Sequence, residues 1–236
     1  MAGPLQSGGC VAIADAAACV RPLVVRWLGR VPYRDASALQ ESMVAERRVD
    51  DQPDTLLLLE HPPVITLGRT ARATHVLANA DDLAARGIEV HEARRGGDVT
   101  YHGPGQLVGY LIVDLARRRA CDVGKFLRRI ESALIAALDE LGIAAGTRAG
   151  LTGVFIGAGG RRKIASIGIG LRGWITWHGF ALNVTTDLTS FAAIVPCGLA
   201  DVEMTSVERE LGCEAPPILV DDARLAVARA FERSFA

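Results

Sequence analysis

The stretch "KIASIGIGLRGWITWHGFALNV", residues 163–184, decides the fold. In "IASIGIGL" Ala165, Ile167, Ile169 and Leu171 share one face, while Ser166, Gly168 and Gly170 leave the other nearly bare. That two-residue period belongs to a β-strand. In "HGFALNV" Phe180, Leu182 and Val184 alternate with Gly179, Ala181 and Asn183, which reads as a second strand. Gly173 between the two segments marks a hairpin turn. A strand face without side chains lets another backbone or a ligand come close. His178, taken alone, reads as a structural histidine.

Working outward, "RPLVVRWLG" (21–29) and "DTLLLLEH" (54–61) read as strands, the second buried on both faces. Between them "YRDASALQESMVAERR" carries its apolar residues at helical spacing. "PPVITLG" (62–68), "IEVHEA" (88–93) and "GQLVGYLIVDL" (105–115) are further strands, the first two separated by a polar, loop-rich segment. "DVGKFLRRIESALIAALDELG" predicts the longest helix, with Leu127, Ile130, Leu134, Leu138 and Leu141 in one stripe and Gly142 as its stop. "TGVFIG" adds a strand before the hairpin. "VDDARLAVARAFERSF" closes the chain as an amphipathic helix, with Asp221 or Asp222 near its start. No internal repeat or long linker appears. The pattern is one α+β domain over residues 21–236, preceded by a loose extension over residues 1–20.

Half of the 236 residues are apolar, enough for a substantial core. A formal net charge of −1 removes the electrostatic case for nucleic acid as a main partner. No apolar run approaches the ~20 residues a membrane span needs. The alanine-rich start has no basic residue and is interrupted by Asp15, which argues against a signal peptide. Five cysteines, at 10, 19, 121, 197 and 213, show no CxxC pairing, a pattern suited to a reducing cytoplasm rather than to disulfides or zinc. Of the 26 basic residues 24 are arginine, and only Lys125 and Lys163 are lysine. A lysine directly after Arg161 and Arg162 points to a task arginine cannot perform, the loss of a proton.

Two further stretches carry chemistry. "RRGGDVTYHGPGQLVGY" (94–110) sets Thr100, Tyr101 and His102 beside the permissive Gly96 and Gly97, then turns through Gly103, Pro104 and Gly105 into the next strand. It lacks the GK[ST] of a phosphate-binding loop and the GxGxxG of a dinucleotide fold. "IVPCGLADVEMTS" (194–206) wedges Cys197 between a proline and a glycine, ahead of a helix start, where the side chain is hard to pack away.

Together these segments resemble one family, the octanoyltransferases that build the lipoyl cofactor. The resemblance runs from about Val24 to the C-terminal helix. It is carried by Arg95, Gly96, Gly97, Thr100, Tyr101, His102, Gly105, Gln106 and Tyr110, then by "KIASIG", "HGFALN" and "PCGLADVEMTS" in the family's order and spacing. It implies the fold shared with lipoate and biotin protein ligases, a mixed β-sheet flanked by helices. It also implies Cys197 as nucleophile with Lys163 beside it. Arg95, Gly96, Gly97, Asp98, Val99, Thr100, Tyr101 and His102 are then expected to line the acyl site. Ser166, Ile167 and Gly168, with Gly179, Phe180 and Ala181, would complete it.

The chemistry so implied is two acyl transfers. A free thiol has a pKa of ~8.5, so an adjacent ammonium favours the reactive thiolate, and the two groups titrate as a coupled pair. The implied donor is octanoyl-acyl carrier protein. The implied acceptor is a lysine of a lipoyl domain, on a 2-oxoacid dehydrogenase subunit or the glycine-cleavage carrier protein. That amine, of pKa ~10.4, needs a base, and a neutral Lys163 can serve. No cofactor, ATP or metal is expected; the chain is expected to act as a monomer in the cytoplasm, without nucleic-acid or membrane partners. Three rivals remain. A lipoate–protein ligase needs no cysteine nucleophile, a relative passing acyl groups between lipoyl domains places its cysteine elsewhere, and a silent acyl-binding protein needs no Lys163–Cys197 pair.

Overall fold

The computed structural model describes residues 22–49, 52–198 and 202–236. The extension read over residues 1–20 lies outside the described residues.

The edge strand β1 (Val24–Arg30) leads into helix α1 (Tyr33–Val49), whose buried residues Tyr33, Ala36, Gln40, Val44 and Arg47 recur at three- and four-residue steps. Strand β2 (Thr55–Glu60) is buried nearly end to end. Leu56 and Leu58 face one core cluster while Leu57 and Leu59 face another, so both faces of β2 are covered. Strand β3 (Val64–Leu67) follows. The segment expected to be loop-rich instead holds a 3-10 turn, Ala73–His75, and helix α2 (Ala80–Ala85). Asn79 caps α2 by accepting from the Asp82 N–H at 2.9 Å. Strand β4 (Glu89–Glu92) lies parallel to β3, and β5 (Val99–His102) antiparallel to it. This β5 lies within the glycine-rich stretch 94–110.

Strand β6 (Gln106–Ile112) and helix α3 (Val123–Glu140) come next, and Asp122 caps α3 by accepting from the Lys125 N–H at 2.9 Å. The expected stripe holds at Ile130, Leu134 and Leu138, while Phe126 takes the inward place at its start and Leu127 and Leu141 are only partly buried. After β7 (Ala145–Gly146) and β8 (Val154–Ile156), the long hairpin of β9 (Arg162–Arg172) and β10 (Ile175–Asn183) forms as expected. Its turn uses positive φ at both Gly173 (58°) and Trp174 (64°), the twist a two-residue hairpin favours. The chain ends with β11 (Glu203–Met204), a short α4 (Val207–Leu211) capped by Ser206, and α5 (Val220–Phe235).

Among the described residues the strands make two sheets. The larger runs β1-β2-β6-β10-β9-β8-β7, with β11 added against β9; the smaller is β4-β3-β5. Helices α3 and α5 pack on one face of the large sheet, where Phe126, Ile130, Leu134, Phe231 and Phe235 meet Leu56, Leu107, Leu182 and Ile169. The opposite face carries α1 and the bare face of the hairpin. The small sheet has its own core of Ile65, Val99, Tyr101 and Phe191. No helix of the described residues is long and apolar enough to cross a membrane.

Candidate active site

The bare face of β9 is used by backbone. A Cβ on Gly168 would sit 2.8 Å from the Gly96 carbonyl oxygen, and the Gly96 N–H donates to Ile169 O at 2.8 Å. Only a residue without a side chain lets the 95–98 loop lie this close to the strand. Arg95 fixes that loop. Arg95 is 9 % exposed, and its guanidinium donates to Thr66 O and Thr66 Oγ1, each at 2.8 Å, to Asp98 O at 2.8 Å and to Gly96 O at 3.1 Å. Burial pulls the Arg95 pKa below its ordinary value, and the negative form of Cys197 is the largest influence opposing that pull. The guanidinium is thus a fixed cation within electrostatic reach of the thiol.

Between the sheets lies a cavity of about 210 Å³. Arg95, Gly96, Gly97 and Asp98 line it from the loop, with Thr100 and His102 from β5. Lys163, Ser166, Ile167 and Gly168 line it from β9, and Gly179, Phe180 and Ala181 from β10, with Cys197 completing it. Val99 and Tyr101 do not line it, in contrast to the expectation. They alternate with Thr100 and His102 along β5, so they enter the core of the small sheet, where Tyr101 packs edge-on to Phe191.

Cys197 sits in a single 3-10 turn, Pro196–Gly198, with φ of 55°. A non-glycine residue in this left-handed region is uncommon and strained. The turn is tied down from below: Gly198 N–H donates to Val195 O at 3.1 Å, and Val195 N–H to His75 O at 2.8 Å. His75 Nδ1 in turn lies 2.6 Å from Asp98 Oδ2. Among the described residues the sulfur is met by Lys163 Nζ at 3.5 Å and Ser166 Oγ at 3.7 Å. Lys163 is 2 % exposed and donates also to Thr152 O at 3.2 Å. Cys197 and Cys213 are free thiols, Cys197 partly buried and Cys213 exposed.

The cavity has members the sequence did not single out. Tyr33 arrives from α1, Thr66 from β3, and Leu151 and Thr152 from the turn before β8. His178, read as structural, lines it as well. It stacks on Trp177 at 4.9 Å, its backbone N–H donates to Gln40 Oε1 at 2.7 Å, and its buried Nε2 has no hydrogen-bond partner among the described residues. Burial lowers its pKa to about 3, with Arg95 adding to the shift, so the ring is neutral. His102 is held neutral in the same way, by burial first, with its neighbours His61 and then Arg95 adding to the shift. Nothing local in the sequence marks His75, Thr152 or Tyr33, whose positions depend on long-range packing.

A thiol, an amine and a cavity are thus assembled from segments far apart in the chain. The lipoyl protein ligase A/B catalytic domain family matches residues 32–232. A curated octanoyltransferase of Acidobacterium capsulatum is 46 % identical over 217 residues, covering 88 % of this chain and 88 % of its own. The chain belongs to the octanoyltransferase family. An octanoyltransferase of Myxococcus xanthus is 48 % identical over 204 residues, covering 85 % of this chain and 57 % of its own length. Among solved structures, a bipartite lipoate protein ligase of Thermoplasma acidophilum matches with a TM-score of 0.70 at 20 % identity, over 90 % of this chain and 83 % of its own. A biotin protein ligase of Aquifex aeolicus matches at 0.54 and 13 % identity, over 90 % and 70 %. The octanoyltransferase fold is therefore the ligase-type mixed sheet flanked by helices that the motifs implied.

Proposed function

We propose that the chain transfers an octanoyl group from octanoyl-acyl carrier protein to a specific lysine of a lipoyl domain, through a thioester on Cys197. The observation that carries this reading is the 3.5 Å approach of Lys163 Nζ to Cys197 Sγ at the edge of the cavity. The names of the curated relatives support octanoyl as the acyl group.

In the first transfer the Cys197 thiolate attacks the thioester carbonyl carbon of the donor. The new sulfur–carbon bond replaces the carrier's, and the carrier sulfur leaves with a proton from the Lys163 ammonium. In the second, the acceptor amine attacks the octanoyl–Cys197 carbonyl. The nitrogen–carbon bond forms, Cys197 leaves as thiolate, and neutral Lys163 takes the amine proton. Every proton and bond is accounted for by the two substrates and the pair. Thioester exchange is nearly level in energy and amide formation runs downhill, so neither ATP nor a metal is needed. Burying the acyl tail between glycines and small apolar groups contributes ~0.8 kcal/mol per methylene. Lipoyl domains of 2-oxoacid dehydrogenase subunits and of the glycine-cleavage carrier protein are the proposed acceptors.

The test is to mix the protein with octanoyl-acyl carrier protein and an unmodified lipoyl domain in the absence of ATP. Appearance of octanoylated domain supports the reading. An absolute requirement for ATP and free octanoate would assign the chain to the ligases instead, and binding without transfer would leave only a carrier role.

A further inference from the structure

Glu131 is an anomaly in α3. It lies between Ile130 and Leu134 in the buried stripe and is 0 % exposed, yet it carries a carboxylate. A charge so placed is costly unless it is paired and hydrogen-bonded. Arg128, one turn earlier and half exposed, brings Nη1 to 2.6 Å from Oε2, but off the hydrogen-bonding direction, so this contact is Coulombic. Among the described residues the one directional partner is the Gly153 N–H, which donates to Oε1 at 2.9 Å. That N–H belongs to the same peptide group as the Thr152 carbonyl. The Thr152 carbonyl oxygen is the acceptor, at 3.2 Å, of the Lys163 ammonium.

We infer that Glu131 is a positioning residue for Lys163, acting through the single Thr152–Gly153 peptide. The peptide lies just before β8, outside the strand ladder, which begins at Val154. Glu131 fixes the orientation that aims its carbonyl at the lysine. The fit is close: Gly153 has φ of +136°, and a Cβ there would lie 2.7 Å from Lys163 Cε. A hydrogen bond to a carboxylate also polarises the peptide and strengthens its carbonyl as an acceptor. The amine is thus held from one side by the peptide and meets Cys197 Sγ on the other. Glu131 is not among the residues that line the cavity. The inference rests on the proposed role of Lys163 for its kinetic consequence, though not for its geometry.

The test compares the full chain with Glu131→Gln, which keeps an oxygen acceptor of the same length, and Glu131→Met, which keeps the length without the acceptor. Each is measured well below its unfolding midpoint. Alkylation of Cys197 by iodoacetamide, followed by peptide mass, needs no substrate and reports the lysine–thiol geometry. Glu131→Gln is expected to react within about threefold of the parent, and Glu131→Met at least about tenfold more slowly. Transfer to the lipoyl domain should show the same order in kcat with the acceptor KM unchanged. Parent-like alkylation and kcat in Glu131→Met would overturn the inference. Should Glu131→Met fail to fold, hydrogen exchange at the Gly153 amide of the parent decides: slow exchange supports the link, and exchange at the rate of an open loop overturns it. A parent protein that forms no octanoyl thioester would defeat the functional reading, while the alkylation comparison would still judge Glu131.

Discussion

Lys163 and Lys125 are the same side chain in opposite settings. Lys125 stands on the surface beside Asp122, with its side chain 88 % exposed, whereas Lys163 is buried against Cys197, Thr152 and the Phe155 ring. Arginine would supply the charge at 163 but could not accept a proton at neutral pH. Lys163→Arg is therefore expected to keep a measurable rate of thioester formation and to lose most transfer to the lipoyl domain, read as separate single-turnover half-reactions. Equal loss of both would refute the proton-acceptor role. At Gly168 the added methyl of Gly168→Ala would press on Gly96 O and, at 3.4 Å, on Arg95 Cδ. Overpacking of this kind costs about 1–3 kcal/mol, and octanoyl loading should fall with it, measurable by urea unfolding and intact mass. The family resemblance led to the expectation that Lys163 lies beside Cys197, and the two atoms are 3.5 Å apart; the residues alone offered only a lysine directly after two arginines and a cysteine in a tight turn. Glu131, Thr152 and His75 were not legible in the sequence, since each acts by a contact that only the assembled fold creates.

At the scale of elements, periodicity identified the hairpin, β2, α1, α3 and α5, each long enough to show its period. It missed β5, because "VTYH" is short and embedded among glycines, and α2, because its polar composition masks a single inward residue, Leu83. The consequence at the site was specific. The resemblance gave the whole run 95–102 to the cavity, Val99 and Tyr101 included, whereas strand alternation sends those two to the core. Elements are also joined by a buried charge knot. Asp54, 5 % exposed and just before β2, receives Arg47 from α1 at 3.2 Å, Arg118 from the turn after β6, and the Asp114 N–H at 3.0 Å. Asp54→Ala removes the carboxylate that Arg47 and Arg118 share and is expected to cost about 3–5 kcal/mol in urea unfolding. A loss below about 1 kcal/mol would show that the knot adds little to joining α1 to the sheet.

Over the whole molecule, three histidines between α1 and the sheets are held neutral by burial. His61, bonded to Val31 O at 2.6 Å and to Tyr110 at 2.7 Å, is lowered to about 4, His178 to about 3, and His102 well below the ordinary value of 6.5. Below pH 6.5 the unfolded chain takes up protons that the folded chain does not. Stability therefore falls as pH drops through that value toward about 4, by roughly 1.4 kcal/mol per unit for each histidine. From pH 7.5 to 5.5, above the carboxylate range, urea unfolding should show a loss on the order of 4 kcal/mol, and His61→Gln should flatten that slope by about a third. A flat profile would mean these rings are not kept neutral. The fold as a whole serves to bring β9 and the 194–198 turn together, and the most direct measurement of that claim is chemical. The protein is incubated with octanoyl-acyl carrier protein alone, without ATP, and its intact mass recorded before and after hydroxylamine. One octanoyl group, removed by hydroxylamine and absent in Cys197→Ser, is the predicted result; an unchanged mass, or an adduct that persists in Cys197→Ser, would contradict it.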